Sequence, residues 1–305
     1  MSISGTISYH FEDVTQCEMC GDVTAKHKII GQRLNGTQGL RPRKKSGITV
    51  SVKKCRNCKL IYSSPQPVPF DIQDHYGIPP ENYWKPEYFI PDTGYFSEQI
   101  KVAKRLLDFK PGMKSLDIGA GIGKCMISLQ NAGFDAYGFE PSKPYFERAI
   151  SKMNISEAKL RLGMMEEMEY EENSFDFITF GAVFEHLYHP AVSLKKALTW
   201  LKPGGLIHLE IPSSAYFAAR VINFYYRLTG TNYVCNLSPM HAPFHLYEFD
   251  YKSFSELSGQ LGFTIRHHTY YVGKNILFPK FMNRVFNPFM KWTKTGMQLE
   301  IWLSK

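Results

Sequence analysis

Residues 115–123 read Ser-Leu-Asp-Ile-Gly-Ala-Gly-Ile-Gly and follow a Pro111-Gly112 turn. An apolar strand ends at Asp117 and Ile118. The glycines at 119, 121 and 123 then let the main chain turn sharply and a ligand approach closely. A dinucleotide fingerprint would need glycine at 124, where Lys124 stands. An acid ahead of such a loop suits a ligand with a cationic amine better than a pyrophosphate.

Outward from this run the pattern alternates between helix and strand. Met126, Ile127 and Leu129 give a short amphipathic helix stopped by Gly133. Ala136 to Glu140 reads as a second buried strand with its acid at the carboxyl end, 17 residues beyond Gly123. Two readings of Glu140 are open. Its two oxygens suit a vicinal diol, and an acid before Pro141 and Ser142 also suits the dipole of the next helix. Leu160 and Leu162 make a short third strand, followed by Gly163, Met164, Met165 and Glu166. Phe175 to Phe180 is a fourth, running into Gly181-Ala182-Val183-Phe184-Glu185-His186. A helix, Ala191 to Leu201, closes at Lys202-Pro203-Gly204-Gly205, and that turn feeds a fifth strand, Leu206 to Ile211. Phe263 to Tyr271 and Met297 to Leu303 supply the last two.

The order D-x-G-x-G-x-G, strand-terminal acid, E-H-L-x-x-P (Glu185 to Pro190) and L-K-P-G-G resembles the class I S-adenosylmethionine (SAM) methyltransferases. The resemblance implies an α/β, Rossmann-like sheet of seven strands whose seventh is antiparallel, and SAM as cofactor. It assigns Asp117, Gly119, Ala120, Gly121 and Gly123 to the amino-acid tail, and Glu140 to the ribose. Met164 and Met165 fall at the adenine edge, with Glu166 the nearest acid, and Gly181 at the tip of strand four.

Four of the six cysteines form two C-x-x-C pairs, Cys17/Cys20 and Cys55/Cys58, with 34 residues between them. Two such knuckles set four soft thiolates around one tetrahedral ion, a structural zinc site. Lys53, Lys54 and Arg56 would offset its negative charge, and Ile48 to Val52 suits a strand leading into the second knuckle. After Ser63-Ser64-Pro65-Gln66-Pro67-Val68-Pro69, an extended connector, comes an aromatic segment with Tyr76, Tyr83, Trp84, Tyr88, Phe89, Tyr95 and Phe96. Ribbon, connector and aromatic segment ahead of the glycine loop resemble the zinc-ribbon sugar methyltransferases. That division places a zinc-ribbon module at 1–70, an aromatic connector at 71–96 and the methyltransferase domain at 97–305.

The connection after strand five, 212–249, is too long for a simple loop and reads as a substrate lid. It is rich in rings (Tyr216, Phe217, Phe224, Tyr225, Tyr226, Tyr233, Phe244, Tyr247) that stack on sugars or simply pack. Methyl transfer to a hydroxyl or carbon acid needs a base, and a near-neutral histidine serves. His186, His241 and His245 are the candidates, with Glu185 to orient a neighbour or bind a substrate hydroxyl. His241 and His245 also form a pair that a metal could use, without an evident third ligand. Ile276 to Trp292, basic, aromatic and interrupted by Pro288, packs on the sheet or touches a membrane surface.

At 305 residues, 44% hydrophobic, the chain is large enough for a full core. No apolar run reaches bilayer-spanning length and residues 1–10 lack a signal region, so a cytoplasmic protein is expected. A formal charge of +8, with Arg41, Arg43, Lys44, Lys45, Lys53, Lys54, Arg56 and Lys59 close together, permits polyanion binding. Three function classes follow. They are methyl transfer to a small molecule, most of all a sugar on a nucleotide or glycan; an RNA modifier docking through ribbon and basic loop; and a cofactor-binding scaffold without turnover.

Overall fold

The computed structural model describes residues 7–39, 41–71, 85–90, 92, 94–273 and 280–305. The expected aromatic contacts of Tyr76, Tyr83 and Trp84 lie outside these residues. In chain order the strands are β1 (Tyr9–Glu12), β2 (Lys28–Leu34), β3 (Thr49–Lys54), β4 (Ile61–Ser63), β5 (Gln66–Pro69), β6 (Lys114–Ile118), β7 (Asp135–Glu140), β8 (Leu160–Leu162), β9 (Phe175–Gly181), β10 (Leu201–Pro212), β11 (Tyr247–Glu248), β12 (Thr264–Tyr271) and β13 (Gln298–Ser304). The helices are α1 (Ser97–Leu107), α2 (Lys124–Asn131), α3 (Lys143–Met153), α4 (Pro190–Trp200), α5 (Phe217–Leu228), α6 (Tyr251–Leu261) and α7 (Lys280–Trp292).

Seven strands form one sheet in the order β12-β13-β10-β9-β6-β7-β8. From β10 to β8 every neighbour is parallel, while β13 lies antiparallel between β10 and β12. This is a Rossmann-like sheet with one antiparallel strand. β9 is buried at Phe177, Ile178, Thr179 and Phe180 in succession, as a strand covered on both faces must be. Phe177 belongs to the cluster with Ile100, Met126, Leu129 and Trp302, and its neighbour Ile178 to the cluster with Leu194, Leu209, Phe254 and Leu257. Helices α1, α2 and α3 therefore cover one face, and α4 and α6 the other.

Local signals account for the helix ends. Gly123, at φ 83°, opens α2, and Gly133, at φ 94°, ends the turn behind it. Asp250 caps α6, accepting from the Lys252 amide while Ser253 Oγ accepts from the Asp250 amide. Two elements differ from expectation. Lys202-Pro203-Gly204-Gly205 is an irregularity inside β10, which pairs with β9 at Leu201 and again from Leu206. Pro288 does not interrupt α7. Phe286 and Phe289 on that helix meet Phe217 of α5 at ring distances of 5.7 and 5.1 Å, and Met290 is fully buried. Tertiary packing thus holds a helix that proline would weaken in isolation. Among the described residues no helix is long and apolar enough to cross a membrane.

The cysteine-rich segment is fused to this sheet domain. β2, β3 and β4 form a second sheet whose edge is completed by β11 from the 212–249 connection. Cys17, Met19, Cys55, Cys58, Leu60 and Tyr62 share one apolar cluster with Phe254 and Leu257 of α6. Ser253 Oγ donates to the Cys58 carbonyl at 2.9 Å and Ser214 Oγ to the Lys59 carbonyl at 2.9 Å. The strands of the cysteine-rich segment and the 212–249 connection are therefore packed together.

Candidate active site

A cavity of about 300 Å³ opens at the carboxyl ends of β6, β9 and β10, where open α/β sheets bind their ligands. Its floor is the glycine loop: Asp117, Gly119, Ala120 and Gly121 line it, joined by Gly181 and Ala182 beyond β9. Gly119 has φ 69°, and a Cβ there would stand 2.5 Å from Val183 Cγ2. Gly121 has φ 56° and nothing within 4 Å of its absent Cβ, so its open side faces whatever enters.

Asp117 is 3% exposed, and its Oδ2 has no hydrogen-bond partner among the described residues. Burial, with the Glu140 carboxylate nearby, pushes its carboxyl up to about 8. An orphaned acceptor inside a ligand-sized cavity is costly unless a donor or cation arrives.

Glu140 sits behind the loop and does not line the cavity. Its Oε2 accepts from the Gly121 amide at 2.7 Å and its Oε1 from the Ser142 amide at 2.8 Å. Burial drives the carboxyl up to about 7 against the pull of those two amides. The carboxylate clamps the glycine loop, and each oxygen keeps a second lone pair for a hydroxyl. Gly123 donates to the Ala120 carbonyl at 2.8 Å and starts α2. At the expected adenine edge, the Met164 amide donates to Glu167 Oε2 at 3.2 Å. Met165 is packed into the core, and Glu166 is exposed. These three stand apart from the cavity lining.

Several cavity residues had no motif to announce them. Tyr88, Tyr95 and Phe96 wall the cavity, with Lys124 Nζ 4.1 Å from the centre of the Tyr88 ring. Glu210, beside Gly181 in the β9–β10 register, faces in with its carboxyl raised by burial and by Glu300. The signal for Glu210 was an acid at a strand's carboxyl end, the same rule that picked out Glu140.

The candidate bases fall into two groups. His241 Nε2 accepts from Arg33 Nη2 at 2.9 Å, so its basic lone pair is occupied by a buried guanidinium. Burial and that charge lower its pKa to about 4. His186 Nδ1 donates to the Phe244 carbonyl at 3.2 Å, which leaves the lone pair on Nε2. Burial lowers His186 to about 4, so it is neutral at pH 7. His245 Nε2 stands 3.7 Å from Glu185 Oε1, and the two imidazole rings are 5.1 Å apart. Glu185, His186 and His245 thus converge, while His241 meets Arg33. Burial also pushes Glu185 up to about 8.

The four knuckle thiols converge as well. Cys17 and Cys58 Sγ are 3.5 Å apart and Cys20 and Cys55 Sγ 3.6 Å, with all four inside 4.8 Å. Bonds of about 2.3 Å to a tetrahedral zinc would set sulfurs roughly 3.8 Å apart, so the donor set fits. The basic run does not form one uniform surface. Arg33 and Lys54 turn inward, Lys54 Nζ donating to the Ser214 carbonyl at 3.3 Å. Arg43, Lys45 and Arg227 line a separate open cleft of about 790 Å³.

Comparison with known proteins bears on the same region. The chain is 28% identical over 132 residues to phosphoethanolamine N-methyltransferase 2 of Caenorhabditis elegans, covering 42% of this chain and 30% of that protein. It is 30% identical over 113 residues to demethylmenaquinone methyltransferase of Bacillus mycoides (strain KBAB4), covering 35% of this chain and 48% of the relative. The chain thus spans a third to a half of these relatives' lengths. Among solved structures, a SAM-dependent methyltransferase from Mesorhizobium loti aligns with TM-score 0.48 and 12% identity, over 69% of this chain and 97% of the other. The model of a family described as a methyltransferase domain matches residues 95–268. That span is more than half of the chain and holds the glycine loop, Glu140, Glu185, His186 and the 212–249 connection, and the chain belongs to that methyltransferase-domain family.

Proposed function

We propose that this protein is a SAM-dependent methyltransferase acting on a small-molecule acceptor, most of all a sugar carried on a nucleotide or glycan. The observation that carries the cofactor reading is Asp117 Oδ2, a buried carboxylate oxygen without a partner among the described residues, at a glycine loop open to a ligand. Asp117 would meet an ammonium, Gly121 gives main-chain room, and Glu140, behind the loop, keeps lone pairs for a hydroxyl that reaches past it. SAM would supply the electrophilic methyl and its own leaving group. What remains for the chain is to align the acceptor, exclude water and receive a proton. Tyr88, Tyr95 and Phe96, which wall the cavity, exclude water on one side.

In this reading the acceptor's proton leaves at the group Glu185, His186 and His245, which follows directly on the cavity residues Gly181 and Ala182. His186, with Nε2 as its lone-pair nitrogen, and His245 are the histidines suited to it, and His241 instead ties the lid to Arg33. The two curated relatives carry names that denote small acceptors. The ring-rich lid supports a sugar, whose faces stack on aromatics. A structural zinc on Cys17, Cys20, Cys55 and Cys58 holds ribbon to lid, and a cytoplasmic setting keeps those thiolates reduced. An RNA acceptor keeps one supporting observation, the cleft with Arg43, Lys45 and Arg227.

The test is incubation with methyl-labelled SAM and separate panels of nucleotide sugars, glycans, amines, quinols and RNA, with label followed by mass spectrometry. Label is expected in a sugar. Label in RNA, lost with rising salt, would replace that reading, and no transfer to any panel would contradict methyl transfer.

A further inference from the structure

We propose that Glu185, His186 and His245 form a binding site for a divalent first-row transition ion, placed between the turn after β9 and the lid. One ligand atom from each lies within 4.8 Å of the others. The separation of 3.7 Å between His245 Nε2 and Glu185 Oε1 is too long for a hydrogen bond. It is close to the roughly 3.4 Å that separates two ligands on one tetrahedral ion with bonds of about 2.1 Å. Glu185 is 2% exposed, and its Oε2 has no hydrogen-bond partner among the described residues. A buried carboxylate oxygen with no donor is a site that a cation completes.

The surroundings also fix the ligands. The Phe244 carbonyl accepts from His186 Nδ1 at 3.2 Å and fixes that ring; metal-bound histidines are oriented in this way. The Leu246 amide donates to the Glu185 carbonyl at 2.9 Å, which joins the lid's main chain to the same turn. Two imidazoles and one carboxylate suit zinc, cobalt, iron or manganese better than magnesium or calcium, and differ from the soft thiolates of the knuckles. Three protein ligands leave coordination open, as sites that handle a substrate do.

The inference rests on the acceptor lying at this group, and it refines the proton step. An ion here would hold the acceptor oxygen and make its hydroxyl more acidic; the imidazoles would then serve as ligands, and the hydroxyl proton would pass to solvent water as the methyl–sulfur bond breaks and the methyl–oxygen bond forms. The lid would be fastened to the sheet by the same bonds.

The test uses the full chain with its thiolate site loaded with zinc. Mn2+ is titrated while the free-ion electron paramagnetic resonance signal is followed, and Co2+ is added in a parallel absorption experiment. Wild type is expected to take up a single saturable Mn2+. Glu185→Gln and His245→Asn should each weaken that uptake by about 10-fold or more, with zinc content and S-adenosylhomocysteine affinity retained as evidence of folding. His186→Asn provides a third variant if either of these misfolds. Co2+ should show weak bands without thiolate charge transfer. No saturable Mn2+ uptake at millimolar concentration, equal uptake in the variants, or a thiolate band from Co2+ would overturn the site. S-adenosylhomocysteine binding to the metal-free wild type is measured alongside. Its absence would sink the cofactor reading, whereas its presence without Mn2+ uptake would sink this inference alone.

Discussion

Asp117→Asn is expected to weaken binding of S-adenosylhomocysteine by about 2–3 kcal/mol, roughly 30- to 150-fold in Kd by calorimetry. The substitution keeps the side chain's shape and its contact with Cys125 but removes the negative charge that meets the ammonium. The pH dependence has a definite sign. In the free protein the carboxyl is held up to about 8 by burial and Glu140, and a bound ammonium favours the ionised form. Binding below pH 8 therefore releases a proton, and wild-type affinity rises with pH until it levels off above the free-state pKa. The amide introduced by Asp117→Asn cannot titrate, so the variant should lose that slope along with the affinity.

Stability should move the other way. A folded-state pKa above the unfolded value means that stability falls as pH rises from about 4 through about 8. Asp117→Asn removes that loss. The ligand-free variant should melt no lower than wild type at pH 7 and higher at pH 9. An unchanged affinity, or an affinity lost together with the fold, would count against Asp117 as the ammonium partner.

Cys55→Ser should have the largest effect on stability. Cys55 is fully buried, its sulfur accepts from the Cys58 amide at 3.4 Å, and its cluster runs on into Phe254 and Leu257 of α6. With zinc on the four thiolates, losing one ligand would release the ion and leave three thiols in an apolar core. A loss on the order of 5 kcal/mol is reasonable for a structural zinc. At about 2 °C per kcal/mol for a chain this large, melting should fall by roughly 10 °C, with zinc absent by elemental analysis. Because β11 pairs with β4 and Ser253 bonds to Cys58, the lid should loosen as well, seen as faster hydrogen exchange over 212–249. A variant that melts normally and carries no zinc in either form would remove the metal from the account.

Much of the sheet was legible in the sequence because its parallel strands are short apolar runs ending in glycine or an acid. That Asp117, Gly119 and Gly121 lie together at a cavity was legible for the same reason: the glycine loop is local, and its backbone demands show in neighbouring residues. The base was not. Whether a histidine keeps a usable lone pair depends on partners 208 residues away for His241, which meets Arg33, and 58 residues away for His186, which meets Phe244. No spacing along the chain reports such contacts. Glu210 was overlooked although it obeys the rule used for Glu140, since the strand carrying it was read for its apolar residues. Pro288 misled because local propensity was weighed without the packing of Phe286, Phe289 and Met290 against the body of the protein.

The most direct measurement is the structure of the full chain crystallised or soaked with S-adenosylhomocysteine. The ligand's ammonium should lie within hydrogen-bond reach of Asp117 Oδ2, its tail along Gly119 and Gly121, and its ribose toward Glu140. A crevice that stays empty at saturating ligand, or density for the ligand anywhere else on the protein, would contradict the account.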